Sequence, residues 1–464
     1  MKKLYFVEPI IAVYAFASFI VYPLVQQYVY RRLWQELTNT SYPITDNSSR
    51  CAPNSSNHST YHEEVQRAAS LFSMYTELFS MIPSLIVTLF LVAYSDHRGR
   101  KITIVLPLLG SVVYTVSFLA ISFFELNLYL LIVATFVSSL FGGLGTILGG
   151  CFSYVADLCE DGKQKTLRMA GVDMVIGLLS GVASISTGYF LRAAGFNWPI
   201  FTSALFHCIN VLYAVFFLEE SRVIDRSNED APRGMALRKL VSGICRLFVA
   251  GTPKRNWLLG LLLITFTSFC FAGSGGSAVV TLYELNEPLC WSEILIGYGS
   301  ALSTTVFITS FFGVALFSRC LPDLVIVLIG MLSVMTGALM TAFAKTTLMM
   351  FLVRVPALLA VMPYPVMRSL MSRVVSKSEQ GALFACVAFL ENLSGSVAYT
   401  VFSRIYAATV AWCPGFVFLL GAGLCVIPLS LLGVVSLFRL EDSKESEPLM
   451  SEEDSAAVED NPVA

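Results

Sequence analysis

Ionisable residues inside long apolar runs are the residues of this chain best placed to do chemistry. Glu77 and Asp173 are carboxylic acids in two such runs, and Arg354 and Arg368 are guanidinium groups in a third. A charge at the centre of a membrane-spanning helix costs about 2.5–3.5 kcal/mol on insertion scales, so each of these residues needs a specific role. Carboxylates at this depth can exchange protons, and guanidinium groups can pair with anions.

The two arginines are predicted to lie in one broken helix. They are about 21 Å apart along a helix and nearly on the same face. Pro356, Pro363 and Pro365 stand between Arg354 and Arg368. Broken helices at membrane depth are tolerated where they line a cavity or are buried in protein, and not where they face lipid. We therefore expect both arginines to face a cavity and to bind substrate there.

Plainer roles remain open for these residues. Arg368 could extend its charge to the membrane interface, and Glu77 and Asp173 could be members of buried structural pairs. Glu391 and Asn392, in a later apolar run, are further candidates for the cavity, although nothing in the sequence forces them to face it.

Composition predicts an integral membrane protein, and its long apolar runs predict that it is entirely α-helical. The 464 residues are 56% hydrophobic and 13% charged, whereas soluble domains have about 25% charged residues. The net charge of -2 does not indicate a nucleic-acid partner. The lipid bilayer is the expected surrounding.

Twelve membrane spans are predicted in two groups of six. They lie near 5–26, 70–94, 102–122, 128–156, 167–193, 197–218, 256–284, 292–317, 324–344, 347–371, 380–407 and 413–438. The predicted domains are a six-helix bundle at 1–218, a cytoplasmic linker at 219–255, a second bundle at 256–438 and a disordered tail at 439–464. Most Lys and Arg residues fall on one side of this topology, which predicts that both termini are cytoplasmic.

A short polar loop joins the second and third spans. It contains Asp96, Gly99, Arg100 and Lys101 and resembles the D-x-x-G-R-K core of the same loop in major facilitator carriers. That pattern also has a glycine four residues before the aspartate, where this chain has Val92. The resemblance implies the major facilitator fold and a cytoplasmic gate formed by these four residues, which we call the gate loop.

Segment 27–69 is predicted to be a glycosylated outer loop. It contains four N-x-S sequons, at Asn39, Asn47, Asn54 and Asn57. Glycosylation at these asparagines would place the loop in the lumen of the secretory pathway.

Two of the eleven cysteines, Cys51 and Cys290, are clearly in predicted outer loops. They are the expected disulfide pair, because thiols in spans and on the cytoplasmic side stay reduced. Cys413 is a competing partner. No Cys/His cluster has zinc-ligand spacing, and no phosphate loop or nucleophile elbow is visible. We expect no enzyme activity, no metal and no cofactor other than protons as the coupling ion.

Longer stretches resemble solute carrier family 46, the proton-coupled folate transporter family. The stretches shared with the family as a whole are Leu282–Leu285, Pro288–Trp291, Ile296–Ala301 and Glu379–Phe384. The stretches that most resemble its lysosomal branch are Phe6–Pro9, Gln27–Arg32, Thr347–Leu352 and Ala408–Trp412. The resemblance covers nearly the whole chain except the first outer loop, the linker and the tail.

The resemblance implies roles for individual residues. It assigns proton coupling to Asp173 and matches Asp157 to the aspartate that ends span four, which makes Asp157 a further coupling candidate. Glu77, from its place in an apolar run, is the alternative carboxylate. It assigns substrate and proton binding to Arg368, and Tyr283 lies in a matching stretch as a further substrate-binding candidate. Folate-transporting members carry a histidine at the position of Gly273.

The implied function is proton-coupled, alternating-access export of organic anions or amphipathic conjugates from the lysosome to the cytosol. Steroid conjugates, bile acids and drug–linker catabolites are the implied substrates. The alternatives are a plasma-membrane importer of folate or organic anions and a non-transporting receptor or accessory subunit. In the tail, Glu445, Leu449 and Met450 resemble an acidic dileucine sorting signal that would bind a clathrin adaptor; a plain solvated tail is the alternative.

Overall fold

The computed structural model describes residues 7–40, 56–158, 162–220, 252–375 and 380–437, and within them all regular structure is helical. The α-helices are, in chain order, α1 Glu8–Thr38, α2 Ser56–Arg98, α3 Lys101–Phe123, α4 Leu130–Ser139, α5 Leu144–Leu158, α6 Gly162–Ala194, α7 Asn197–Phe216, α8 Pro253–Gly275, α9 Val280–Leu285, α10 Glu293–Phe317, α11 Asp323–Ala342, α12 Thr347–Leu352, α13 Pro363–Val374, α14 Gln380–Thr409 and α15 Phe416–Leu424. Short 3-10 turns lie at Gly276–Ala278 and Pro356–Leu359.

These helices form twelve spans. Eleven segments of the described chain are long and apolar enough to cross a membrane. We assign α14 as a further span because its 30 residues exceed the roughly 20 that a bilayer needs. Numbered in chain order, span 4 combines α4 with α5, span 7 combines α8 with α9, span 10 combines α12 with α13, and span 12 runs from α15 to Leu437.

Glycine and proline account for the breaks. Between α4 and α5 the chain turns at Gly142, whose φ of 96° is in the left-handed region that favours glycine. In span 10 the 3-10 turn begins at Pro356 and α13 begins at Pro363, and each proline lacks the N–H that a continuous helix would need. The predicted break in span 10 is confirmed.

The helices of spans 1 and 2 are longer than predicted. α1 continues to Thr38 and α2 already begins at Ser56, so the segment 27–69, expected to be a loop, is helical at both of its ends. α1 stops where Asn39 adopts a left-handed φ of 52°, a common way to end a helix. We call this end of the molecule the outer end and the opposite end the inner end.

Spans 5 and 8, one from each half, approach very closely. A Cβ at Gly177 would lie 3.0 Å from the Phe307 side chain, and one at Gly181 would lie 2.7 Å from the Thr304 hydroxyl. Small residues at these positions therefore let the two helices pack closely.

Candidate functional site

A polar cavity of about 260 Å³ lies between the two halves of the bundle. Span 2 contributes one carboxylic acid to its wall, and spans 7 and 11 contribute the rest. The lining residues are Glu77, Ser274, Ser277, Glu391, Asn392, Gly395, Ser396 and Tyr399. Polar groups are costly at membrane depth, so a wall made of them indicates a functional site.

Arg368 and Glu391 form an ion pair at this wall. Their side chains are 33% and 32% exposed, so the pair is only partly buried. The Arg368 guanidinium also lies 5.8 Å from the centre of the Phe266 ring, which is within the range of a cation–π contact. Arg368 is therefore directed toward span 11, beside the cavity residue Glu391.

Glu77 places a second carboxyl group in the same cavity. Tyr399 lies in the wall with it, and the Gln26 side-chain amide donates a hydrogen bond of 3.3 Å to the Tyr399 hydroxyl. Spans 1, 2 and 11 thus meet at this point. A cavity lined by two carboxyl groups, one of them paired with the Arg368 guanidinium, can exchange protons and bind an anion.

Asn392 lies where spans 4 and 11 cross. A Cβ at Gly145 would overlap the Asn392 amide, so a larger residue there would require this side chain to move. The Asn392 amide donates a 3.1 Å hydrogen bond to the Ala388 carbonyl of its own helix. The sequence-based candidates Glu77, Glu391 and Asn392 are thus brought together.

Arg354 and Tyr283 lie elsewhere. Arg354 is 3.6 Å from Glu284 near the outer end, with side-chain exposures of 16% and 2%. The Tyr283 hydroxyl donates a 3.1 Å hydrogen bond to the Ala344 carbonyl, and its ring contacts Phe418. Neither residue lines the cavity, and both hold the outer parts of the second bundle together.

The gate loop is bound to the end of span 6. The backbone N–H groups of Arg100 and Lys101 donate hydrogen bonds to the Glu220 carboxylate, which is 3.2 Å from the Lys101 nitrogen. A negative charge at the start of α3 is favoured by the helix dipole. Glu220 was not among the residues predicted from the sequence, although an acidic residue directly after an apolar run was a visible signal.

Gly99 and Lys101 complete this contact. Gly99 has a φ of 109°, and a Cβ there would overlap the Glu220 carboxylate. The Lys101 ammonium donates a 2.7 Å hydrogen bond to the Val215 carbonyl. Three of the four gate-loop residues therefore fasten the loop to span 6.

Several predicted residues lie outside what the structure describes. These are the residues Asn47, Cys51, Asn54, Glu445, Leu449 and Met450 and the side chains of Asn57, Asp96, Asp157 and Asp173. Of the glycosylation candidates, Asn39 is described and exposed. Cys290 is disulfide-bonded, whereas Cys413 is free. Cys413 is thus removed as its partner, and the pairing with Cys51 stays a prediction.

No group of three or more His, Cys, Asp or Glu side chains that could hold a metal ion occurs among the described residues.

Comparisons with known proteins agree with this architecture. Residues 7–399 match the family model described as Major Facilitator Superfamily. A chicken (Gallus gallus) protein named lysosomal proton-coupled steroid conjugate and bile acid symporter SLC46A3 is 48% identical over 93% of this chain and 94% of its own length. The rat (Rattus norvegicus) proton-coupled folate transporter is 32% identical, covering 92% and 91% of the two chains.

A solved structure shows the same fold. The human organic anion transporter MFSD10 has a TM-score of 0.62 at 15% identity, covering 92% of this chain and 98% of that one. The predictions of a major facilitator fold and of a resemblance to the lysosomal branch are confirmed. This chain belongs to the Major Facilitator Superfamily and, within it, to solute carrier family 46.

Proposed function

We propose that this protein is a proton-coupled transporter that moves organic anions or amphipathic conjugates from the lysosome to the cytosol by alternating access. The observation that carries the proposal is Arg368 beside a polar cavity between the two halves, where spans 2, 7 and 11 meet. A guanidinium beside such a cavity suits a carboxylate, sulfate or sulfonate. The name of the chicken relative supports steroid conjugates and bile acids as the substrate class.

Gly273 supports this substrate class over folate. Folate-transporting members carry a histidine at this position, and here the space beside Gly273 is bounded by the Tyr364 hydroxyl, 3.6 Å from a built Cβ. The missing imidazole counts against folate as the substrate. Drug–linker catabolites, as further amphipathic anions, fall within the same chemistry.

The proposal is tested by flux in proteoliposomes at outer pH values of about 5 and 7. Taurocholate, a steroid sulfate and folate form the panel. We expect saturable uptake of the first two, stimulated by an inward proton gradient, and little folate uptake. Folate flux alone would favour the importer, and no saturable flux of any of the three would contradict transport and favour a receptor or accessory subunit.

The coupling carboxylates are tested in the same assay. Asp173→Asn is expected to abolish proton-driven accumulation and to retain substrate exchange. An unchanged pH dependence would assign Asp173 a structural role and leave Glu77, which lines the cavity, or Asp157 as the coupling group.

We also propose that Glu445, Leu449 and Met450 sort the protein to the lysosome through a clathrin adaptor. The lysosomal name of the chicken relative supports the destination. The double variant Leu449→Ala with Met450→Ala should move the protein to the plasma membrane, as seen by surface biotinylation. Unchanged lysosomal location would place the signal elsewhere.

A further inference from the structure

We propose that a slot beside the polar cavity holds the rigid apolar body of the substrate, while the anionic end of the substrate stays in the cavity. The slot, which we call the side slot, is bordered by Gly273 and Ser274 of span 7, Gly395 of span 11 and Tyr364 of span 10. Gly273 sets the size of the body that fits. This inference rests on the proposed function and deepens it, because it names the residues that select steroid-sized substrates.

The polar cavity alone does not suit an amphipathic conjugate. Its volume is about 260 Å³, whereas the pockets that bind drug-sized ligands have about 300–1,000 Å³ and mostly apolar walls. Two of the residues that line it are acids, and most of the others carry hydroxyl or amide groups. The apolar body of a conjugate therefore needs a surface next to this cavity.

Two glycines leave space on either side of Ser274, which lines the cavity. Apart from chain neighbours and its own helix backbone, the one described atom within 4 Å of a Cβ built at Gly273 is the Tyr364 hydroxyl oxygen, at 3.6 Å. For a Cβ built at Gly395, which also lines the cavity, it is the Ser274 hydroxyl oxygen, at 3.8 Å. Each glycine thus borders space that a side chain or a ligand could fill.

Tyr364 forms the end wall of the side slot. Its ring packs edge-on against the Phe266 ring, with 6.0 Å between the ring centres, and its centre lies 5.2 Å from that of the Phe269 ring. Both phenylalanines are fully buried, so they hold the Tyr364 ring in place. The hydroxyl group at the tip of this ring can donate a hydrogen bond to an oxygen atom of a ligand.

The side slot adjoins the charged part of the site. Arg368 follows Tyr364 by four residues in α13, so both side chains lie on the same face of that helix. Tyr364 is also close enough to Glu391 to interact with it electrostatically, and Glu391 lines the cavity. An anionic group in the cavity and an apolar body in the side slot can therefore belong to one ligand.

This arrangement defines the chemical class of the ligand. It is a flat, rigid body with an anionic group at one end and an oxygen atom at the other. Estrone sulfate is such a molecule, because its sulfate and its ketone lie at opposite ends of the fused rings. Phenyl sulfate carries the same anionic group without the steroid body and serves as the small comparison ligand.

The size of the side slot is tested by the binding of both sulfates to purified full-length protein. Gly273→Leu is expected to weaken estrone sulfate binding about tenfold or more, since the added side chain fills the slot, and to change phenyl sulfate binding less than about twofold. Gly273→Ala, whose methyl group would be in ordinary contact with Tyr364, should fold normally and lose about threefold for estrone sulfate alone.

Gly260→Leu is the matched control on the same span, because nothing lies within 4 Å of a Cβ built at Gly260. It should leave both affinities unchanged. If the wild type binds estrone sulfate and the two Gly273 variants bind it equally well, the inference fails and the proposed function stands. Equal losses for the two sulfates in Gly273→Ala would also overturn the inference.

Tyr364→Phe tests the end wall, because it keeps the ring and removes the hydroxyl group. Estrone sulfate should bind about three- to tenfold more weakly, as expected for the loss of one hydrogen bond. The analogue of estrone sulfate that lacks the ketone should bind the wild type and Tyr364→Phe equally. An equal loss for both ligands would show that Tyr364 acts through the fold and does not contact the ligand.

A readout without ligand separates the side slot from the proposed function. Gly273→Cys in the purified protein should react with a small water-soluble thiol reagent faster than Ala272→Cys, because Ala272 is only 5% exposed. Mass spectrometry of the span 7 peptide measures both rates, and equal rates would overturn the side slot. Rapid labelling of Gly273→Cys, combined with no estrone sulfate binding by the wild type, would contradict the steroid occupant and the proposed substrate class together.

Discussion

At the scale of single residues, three arginines are each paired with a glutamate at a different place in the bundle. Arg31 pairs with Glu293 between the halves, Arg354 pairs with Glu284 near the outer end, and Arg368 pairs with Glu391 beside the cavity. Charges at membrane depth are stabilised by such partners. Of these three pairs, only the third has two side chains that are each about one-third exposed. We therefore assign ligand binding to this pair alone.

The pair of Arg354 and Glu284 is predicted to be structural. Removing one partner of a buried pair leaves an uncompensated charge and typically costs about 3–5 kcal/mol. Arg354→Gln should therefore lower the midpoint of thermal unfolding in detergent, and Arg354→Gln with Glu284→Gln should recover part of the loss. The pair of Arg373 and Asp323 gives the control, because Arg373 is 60% exposed. Arg373→Gln should lower the free energy of unfolding by at most about 1 kcal/mol.

An unchanged unfolding midpoint in Arg354→Gln, combined with loss of taurocholate binding, would contradict the structural role. It would restore Arg354 as a substrate ligand.

The sequence predicted part of the site and missed the rest for a physical reason. Glu77, Arg368, Glu391 and Asn392 were identifiable because each polar group stands in an apolar run. Which of the charged residues pair with one another could not be predicted. In the sequence Arg354 looks as able to bind a ligand as Arg368, and only the three-dimensional packing shows that Arg354 pairs with Glu284. Serines such as Ser274 carry no comparable signal in a sequence.

At the scale of elements, hydropathy predicted the spans well but not their ends. α1 and α2 extend beyond the apolar runs because helices can continue into water while their backbone hydrogen bonds are satisfied. The tryptophans near predicted span ends show the same limit of sequence patterns, because not all of them face the membrane interface. Trp412 is exposed, as an interfacial anchor should be. Trp34 and Trp291 are only 1% and 0% exposed and are therefore packed inside the protein.

Close approach of spans 5 and 8 predicts sensitivity to single methyl groups. A Cβ at Gly188 would lie 2.7 Å from the Glu293 carbonyl oxygen, and one at Gly297 would lie 2.7 Å from the Ser184 carbonyl oxygen. Gly188→Ala or Gly297→Ala should lower the thermal unfolding midpoint, because backbone atoms must move. Gly260→Ala is the control: nothing lies within 4 Å of its built Cβ, so it should be neutral or stabilising by up to about 1 kcal/mol.

Equal unfolding midpoints in the three alanine variants would contradict this prediction. They would show that spans 5 and 8 can move apart at little cost in stability.

The first outer segment is predicted to be linked covalently to the connection between spans 7 and 8. Cys290 is disulfide-bonded, and Cys51 is the other cysteine predicted on the oxidising side. Peptide mapping without reduction should find the two joined. Recovery of Cys51 as a free thiol would exclude this pairing.

At the scale of the whole molecule, the halves are joined by polar contacts at the outer end. The Gln66 amide donates a 3.0 Å hydrogen bond to the Leu282 carbonyl, and the Ser70 hydroxyl donates one to the Ser403 carbonyl. Arg31 and Glu293 form an ion pair across the same interface. The described part of the chain is therefore closed at its outer end, the state expected after a substrate has entered.

The outer ion pair, Arg31 with Glu293, is predicted to favour this closed state. Its partners belong to spans 1 and 8 of different halves, and their side chains are only 17% and 6% exposed. Opening the outer end must separate them, so Glu293→Gln should increase labelling of a cysteine placed at buried Ser184 by a membrane-impermeant thiol reagent added outside. Arg31→Gln should do the same, and the double variant should add nothing further, because one contact is lost in all three. Asp323→Asn, within one half, should leave labelling unchanged. Additive increases in the double variant would mean that Arg31 and Glu293 act separately and do not hold the two halves together as a pair.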